Sequence, residues 1–442
     1  MASTLSKAPI LRATAVRSYS CQAVPIGGTT TYKVENSTLQ NKLVVCSAEN
    51  DSPLSRVSIV FRAGSRYEGA DNLGVSHMLR MTAGQSTRNW SNFAIARRVA
   101  QSGATLSCTA DREVVAYTLE GTRAAVAECL PYLTSVATEQ LFQPWEISDQ
   151  EKRVRLELAT RPPQLRCIDL LHKAAYRKTL GNSLFIAKYK IGKIGSETLQ
   201  HYVRQNFTPT RGAVVGLGID HSKLEQIGQC LKIESCKDEA SPAKYAAGEI
   251  RSDKGGDMAY VAIASQSAGI CQIKEALAFG VLQRALGSGP STKYGMESAS
   301  LLRKAIGDIR DPHSVSAINY TYSDSGLFGV LAAMPAKIAG QITTSVVKTL
   351  KSLKVSDADV NRGKNQYITD ILTSNECGRN AIERMGREAA LTGTGQSPCE
   401  IIAEIQSVSA SDVQAAAQKI SSGKLTIAAV GNLHCVPFKD EL

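Results

Sequence analysis

The chain has 442 residues, 43% hydrophobic and 21% charged, which is the composition of a globular protein of two to four domains. No apolar run approaches the roughly 18 residues of a membrane-spanning helix, so no transmembrane segment of its own is expected. The net charge of +11 is spread along the chain, without a dense basic block, an aromatic stacking pattern or finger spacing. That excludes nucleic acid as the expected partner and leaves acidic partners or an anionic membrane surface.

The first acid is Glu35, and the first thirty residues carry Lys7, Arg12 and Arg17 in a Ser-, Thr- and Ala-rich stretch. Leu5, Ile10, Leu11 and Val16 share one side of a helix. This is the composition of a mitochondrial transit peptide, not of a secretory signal. Arg17-Ser18-Tyr19 before Ser20 predicts removal of residues 1–19, which lowers the net charge from +11 to +8.

A strand is expected near 57–61. Next comes Asn72-Leu73-Gly74-Val75-Ser76-His77-Met78-Leu79-Arg80-Met81. A helical His-x-x-Glu-His sets two imidazoles one turn apart with a carboxylate beside them, which binds zinc and activates water. Here His77 keeps the first position, Arg80 holds the Glu position and Met81 the second His position. One imidazole is not a zinc site, and the Met81 thioether suits Cu(I) better than zinc. Arg80 puts a fixed positive charge where a general base belongs and repels a divalent cation. Glu157 adds one carboxylate, far away in sequence. The expectation is therefore no catalytic residue, no metal and no cofactor, with His77 held by a backbone or side-chain partner.

Residues 104–117 read as strand, turn and strand, followed by a helix over 124–137. Residues 211–218 read as a strand. Gly216-Leu217-Gly218 lacks the third glycine of a dinucleotide fingerprint, because His221 stands there. Residues 235–257, rich in Lys, Glu, Ala, Ser and Gly, read as a linker. A strand follows at 259–263 and a helix over 270–286 that ends at Gly287. Residues 287–295 have no Walker spacing and read as a connector. Strand, turn and strand recur over 315–330, then a helix over 338–353 and a strand over 424–432. The terminal Lys439-Asp440-Glu441-Leu442 matches an ER-retention signal but reads as silent, as do the sequons at Asn36, Asn50, Asn89, Asn206 and Asn319. The eleven cysteines contain no C-x-x-C pair, and several in apolar contexts, such as Cys46, read as small buried hydrophobes of a non-secretory protein.

The chain is written twice. Segment 104–117 returns at 315–330, segment 211–218 at 424–432, and 57–61 more loosely at 259–263. The fold class is α+β, with two halves at 20–234 and 258–442. Each half is an antiparallel-rich sheet with helices packed on one face.

Leu171-His172-Lys173-Ala174-Ala175-Tyr176, Leu180-Gly181-Asn182-Ser183, Ile191-Gly192-Lys193-Ile194 and the run from Tyr202 to Arg211 resemble the pitrilysin/insulinase-type zinc peptidase superfamily. The resemblance spans nearly the whole chain beyond residue 20. The run from Tyr322 to Gly329, and Gly431-Asn432-Leu433 with Pro437-Phe438, resemble its non-catalytic branch, the core proteins of respiratory complex III (ubiquinol–cytochrome c reductase). The resemblance implies that each half is two similar domains forming a bowl. It implies pairing with the paralogous core subunit 1, and support of cytochrome b, cytochrome c1 and the Rieske protein. It also implies a peripheral place on the matrix side of the mitochondrial inner membrane, without quinone or haem chemistry. The family's metal residues carry over at His77 only, and its downstream acidic ligand falls at Glu157 or Leu158. Arg303 and Tyr322 fall near its substrate-handling Arg and Tyr, with a structural role here. Two other readings remain. One is the non-catalytic partner of a presequence peptidase, for which a longer glycine-rich loop than 287–295 is expected. The other is a metallopeptidase with unusual ligands, against which Arg80 stands.

Overall fold

The central strands are buried on both faces, and that dictates the layering. In β3 (Leu54–Phe61), Val57, Ile59 and Phe61 join one buried cluster while Val60, between them, joins another. A strand with two apolar faces must be covered on both sides. The structure is a computed structural model that describes residues 32–234, 241–287, 300–307, 309 and 311–442.

The first sheet holds β1 (Val34–Thr38), β2 (Val44–Ala48), β3, β4 (Thr105–Ala110), β5 (Val115–Thr122) and β6 (Gly212–Leu217), in the order β1-β2-β6-β3-β5-β4. The second holds β7 (Glu249–Asp253), β8 (Met258–Ser267), β9 (Ser314–Thr321), β10 (Gly326–Pro335) and β11 (Thr426–Gly431), in the order β7-β11-β8-β10-β9. Apart from β1, the two orders superpose strand for strand. In each sheet one pair is parallel, β2 with β6 and β7 with β11, and the others are antiparallel. The internal repeat is thus structural. Residues 249–253, which composition placed in a linker, are strand β7; their partner β11 lies far downstream, so no local pattern revealed the pairing.

The first half carries helices α1 (Val75–Met81), α2 (Asn92–Gln101), α3 (Arg123–Thr138), α4 (Pro144–Thr160), α5 (Pro163–Tyr176), α6 (Ser196–Asn206) and α7 (His221–Cys230). The second carries α8 (Ile273–Leu286), α9 (Leu301–Ile306), α10 (Ala339–Lys351), α11 (Asp357–Glu376), α12 (Gly378–Thr392), α13 (Pro398–Ser407) and α14 (Ala410–Ser422). The helix expected over 124–137 is α3, capped by Thr122, whose hydroxyl accepts from the Ala125 N–H. The helix expected over 338–353 is α10, and that over 270–286 is α8, ending at Gly287.

Helices cover both faces of each sheet, not one, and the second cover comes from the other half. Ile382, Met385 and Ala389 of α12 pack on Cys46, Val60, Ala213 and Val215 of the first sheet. Cys167, Leu171 and Ala175 of α5 pack on Ala262, Ala264, Leu327 and Val430 of the second. Each large apolar side chain buried this way contributes about 1.5–3 kcal/mol. The two halves therefore exchange a helix, and neither sheet is closed without the other half. No helix among the described residues is long and apolar enough to cross a membrane.

Candidate functional site

Helix α1 carries the degenerate motif. It opens at Gly74, whose φ of +95° suits glycine and whose Cβ position lies 2.8 Å from Ile186. Its first N–H groups are held by a buried carboxylate. Glu68 accepts from the N–H of Gly74 and the N–H of Ser76, both at 2.8 Å, and from the Ser76 hydroxyl at 2.6 Å. Sequence reading missed Glu68, because it lies outside the helix and has no periodic signal.

His77 is 1% exposed. Its Nδ1 accepts from the Ile186 N–H at 3.2 Å. Its Nε2 faces Glu157 Oε2 at 3.4 Å, without hydrogen-bond alignment. Phe185 stands edge-on to the imidazole at 5.5 Å. Burial pushes the His77 pKa down; the Glu157 charge opposes this, and Arg80 reinforces it. The ring is neutral at pH 7, with its proton on Nε2, because Nδ1 faces a donor.

The fold brings Glu157 of α4 to this corner and so separates it from Leu158, which packs against the core of the first half. Arg80 donates from Nη2 to Glu157 Oε1. Burial pushes the Glu157 carboxyl up, but Arg80 and His77 outweigh it and hold it below the usual carboxylate range. Met81 is buried in the core of the first half with Val75, Met78 and Leu79. Three of the four flagged residues thus meet as an ion-paired corner, and the fourth is packing.

These residues do not fit zinc. A histidine that ligates through Nε2 carries its proton on Nδ1 and donates it to an acceptor. Here Nδ1 faces an N–H. Arg80 already occupies the carboxylate, and no group of three His, Cys, Asp or Glu able to hold a metal exists among the described residues.

A second polar cluster lies where the halves meet, built by the two stretches that carry the resemblance most closely. His172 Nδ1 donates to the Ile168 carbonyl at 2.8 Å, and its Nε2 accepts from the Tyr322 hydroxyl at 2.8 Å. Burial, with Arg112 adding to it, pushes the His172 pKa well down. The Tyr176 hydroxyl reaches Ser325 Oγ and the Gly326 carbonyl, both at 3.0 Å. Arg66 donates to Glu113 at 2.7 Å and to both oxygens of Asp324 at 2.8 and 2.6 Å. Glu113 also accepts from the Ser323 N–H at 3.0 Å. Tyr322 is thus a buried strut between the halves. Arg303 sits on α9 and donates to His313 Nε2 at 3.2 Å. The segment 288–295 of the glycine-bearing connector lies outside the described residues.

Comparison with known proteins places this duplicated fold in a family. Residues 43–188 match Insulinase (Peptidase family M16), and residues 193–367 match the Peptidase M16 inactive domain. The mouse mitochondrial cytochrome b-c1 complex subunit 2 is 39% identical over 417 residues, covering 92% of each chain, and the human protein is 38% identical over the same span. A probable mitochondrial-processing peptidase subunit alpha-1 of Arabidopsis thaliana is 25% identical over 93% of this chain and 84% of its own length. Among solved structures, a chain of complex III2 from Candida albicans with Inz-5 bound shares the fold with a TM-score of 0.80 at 18% identity, covering 92% of this chain and 98% of that one. The chain belongs to the family of mitochondrial cytochrome b-c1 complex subunit 2, within the insulinase-type peptidase family M16.

Proposed function

We propose that this chain is a structural and assembly core subunit of mitochondrial respiratory complex III, with a zinc-peptidase site converted into packing. One observation carries the non-catalytic reading: the Arg80 guanidinium pairs with Glu157 beside a buried, neutral His77. A cation stands where a general base would act, and the remaining carboxylate is spent on it. The likeness to subunit 2 proteins across nearly the whole chain supports the assembly role. Its partners would be the paralogous core subunit and the membrane subunits cytochrome b, cytochrome c1 and the Rieske protein. It would sit peripherally on the matrix side of the inner membrane, delivered by residues 1–19, which lie outside the described residues. An intact mass of the endogenous protein that still includes residues 1–19 would refute the delivery step. The processing-peptidase-partner reading rests on relatives of lower identity.

Depleting the protein should lower the amount of assembled complex III while leaving turnover per assembled complex near normal. Intact complex levels with failed presequence removal would replace this reading by the peptidase-partner one. Elemental analysis should find no stoichiometric zinc; about one zinc per chain, lost on His77→Ala, would overturn the degenerate-site reading.

A further inference from the structure

The chain has two tryptophans, and both stand on the surface of the first half. Trp90 is 38% exposed, Phe93 70%, Leu141 36% and Trp145 65%. They are neighbours because Ser86 ties their segments together. Its hydroxyl donates to Glu146 Oε1 at 2.5 Å and accepts from the Asn92 N–H at 3.2 Å. Glu146 adjoins Trp145 at the start of α4, and Asn92 adjoins Phe93 at the start of α2. The Leu141 N–H donates to the Ser86 carbonyl at 3.2 Å, and the Thr87 N–H to the Trp90 carbonyl at 2.8 Å. Trp90 is further fixed against Tyr132, with ring centroids 5.0 Å apart.

Single exposed hydrophobics need no explanation, but four on one rigid knot do. An aromatic side chain offers about 150–250 Å² when open, so this patch exposes roughly 400 Å² of apolar surface. A standard interface uses about 800 Å² per partner, of which about 57% is apolar. The patch therefore supplies nearly the whole apolar share of one such interface. Trp with flanking Arg is also the composition of interface hot spots.

Charge decides among occupants. The rim carries the exposed Arg88, Arg97 and Arg98, against Asp149 one turn along α4 from Trp145 and Glu139, which accepts from the Asn89 amide, so its cations exceed its acids by one. A second copy of the chain, paired about a two-fold axis, would set those arginines against themselves. A lipid surface calls for a helix lying flat on a long apolar face, whereas α2 turns its Ile95 and Val99 inward. A cavity of about 580 Å³ with Arg88 and Leu141 in its wall opens beside the patch. We propose that the Trp90–Phe93–Leu141–Trp145 patch docks an acidic segment with apolar anchors from another protein subunit of the same assembly. This rests on the assembly reading above.

The test places a photo-crosslinking amino acid at Phe93, and separately at Trp145, in the full chain expressed in cells lacking the endogenous protein. Assembled complex III is isolated on a native gel and the crosslinked peptide is sequenced. The expected product is a segment of a different subunit with excess Asp and Glu. Arg88→Glu with Arg97→Glu should lower its yield roughly tenfold or more, as should Trp145→Ala read from the crosslinker at 93 and Phe93→Ala read from the crosslinker at 145. Thermal melting of each variant checks that it remains folded. Crosslinks to a second copy, to lipid, to a segment without acidic excess, or to nothing would each overturn the proposal. If the wild-type chain co-migrates with complex III but yields no such product, the patch inference fails and the assembly reading stands. If the wild-type chain does not co-migrate, the assembly reading fails first.

Discussion

The exchanged helices make a prediction that no model of two self-contained halves would make. Leu171 belongs by sequence to the first half, yet it is fully buried against Ala262, Leu327 and Val430 of the second sheet. Ile382 belongs to the second half and is fully buried against Val60 and Val215 of the first. Cutting either to alanine removes three methyl or methylene groups and leaves a cavity, at a cost of about 2–5 kcal/mol. Taking about 3 kcal/mol, amides protected by local opening of the affected sheet should exchange roughly a hundredfold faster. Hydrogen exchange read by mass spectrometry gives this peptide by peptide. Leu171→Ala should loosen β8 and β11 while β3 and β6 keep most of their protection; Ile382→Ala should do the reverse. Loosening confined to the half that carries the mutation in sequence would refute the exchange. Equal loosening of both sheets in both variants would show that the chain opens as one unit, and would sink the local argument.

Glu68→Ala leaves the N–H groups of Gly74 and Ser76 buried without their acceptor, so it should cost about 3 kcal/mol, read from the urea midpoint. A loss within error would mean that another group caps α1. The two buried histidines set an acid limit. Both His77 and His172 have folded pKa values pushed below the ordinary 6.5. The stability they hold is therefore complete above about pH 6.5 and is lost as pH falls from there toward the folded values. Each contributes a slope of the same sign in that window, bounded by about 1.4 kcal/mol per pH unit for one proton. His172→Gln should flatten the profile, and an unchanged urea midpoint between about pH 7 and 5.5 in the wild type would count against it.

Much of this was legible from sequence because it is periodic or local. Short apolar runs bounded by turn residues marked β5, β6, β8, β10 and β11, and matching spacings marked the duplication. Arg80 and Met81 marked the His-x-x-Glu-His motif as altered before any geometry was known. What escaped depends on distance along the chain. Sequence left the acidic position between Glu157 and Leu158, and α4 carries Glu157 to His77. Strand β7 has a mixed composition and exists because β11, far downstream, pairs with it in parallel. The second cover of each sheet was hidden because α5 and α12 were not among the predicted helices, and nothing in an amphipathic period names the sheet it will meet. Glu113 and Asp324 are charged residues in turns by sequence; only the meeting of the halves turns them into partners of Arg66.

The same long-range dependence limits how far the metal site can be put back. Arg80→Glu with Met81→His rewrites the motif as His-x-x-Glu-His and, with Glu157 released, supplies two imidazoles and a carboxylate. Three protein ligands are the number a catalytic zinc uses. Yet His77 would ligate through Nε2 only after moving its proton to Nδ1, where the Ile186 N–H already points at 3.2 Å. Two donors would then face each other inside the core, and relief requires the backbone at Ile186 to move. Gly74 packs so closely on Ile186 that a Cβ there would lie 2.8 Å from it, so movement toward Gly74 is closed. Met81 is packed in the core, so an imidazole there must also leave apolar neighbours. Loss of orienting partners alone typically costs about 10–100-fold in metal affinity. The double variant should therefore hold zinc weakly, losing it on dialysis against a mild chelator, and should cleave presequence peptide barely above background. A variant that retained about one zinc per chain through that dialysis would show that the surroundings of His77 were never the obstacle.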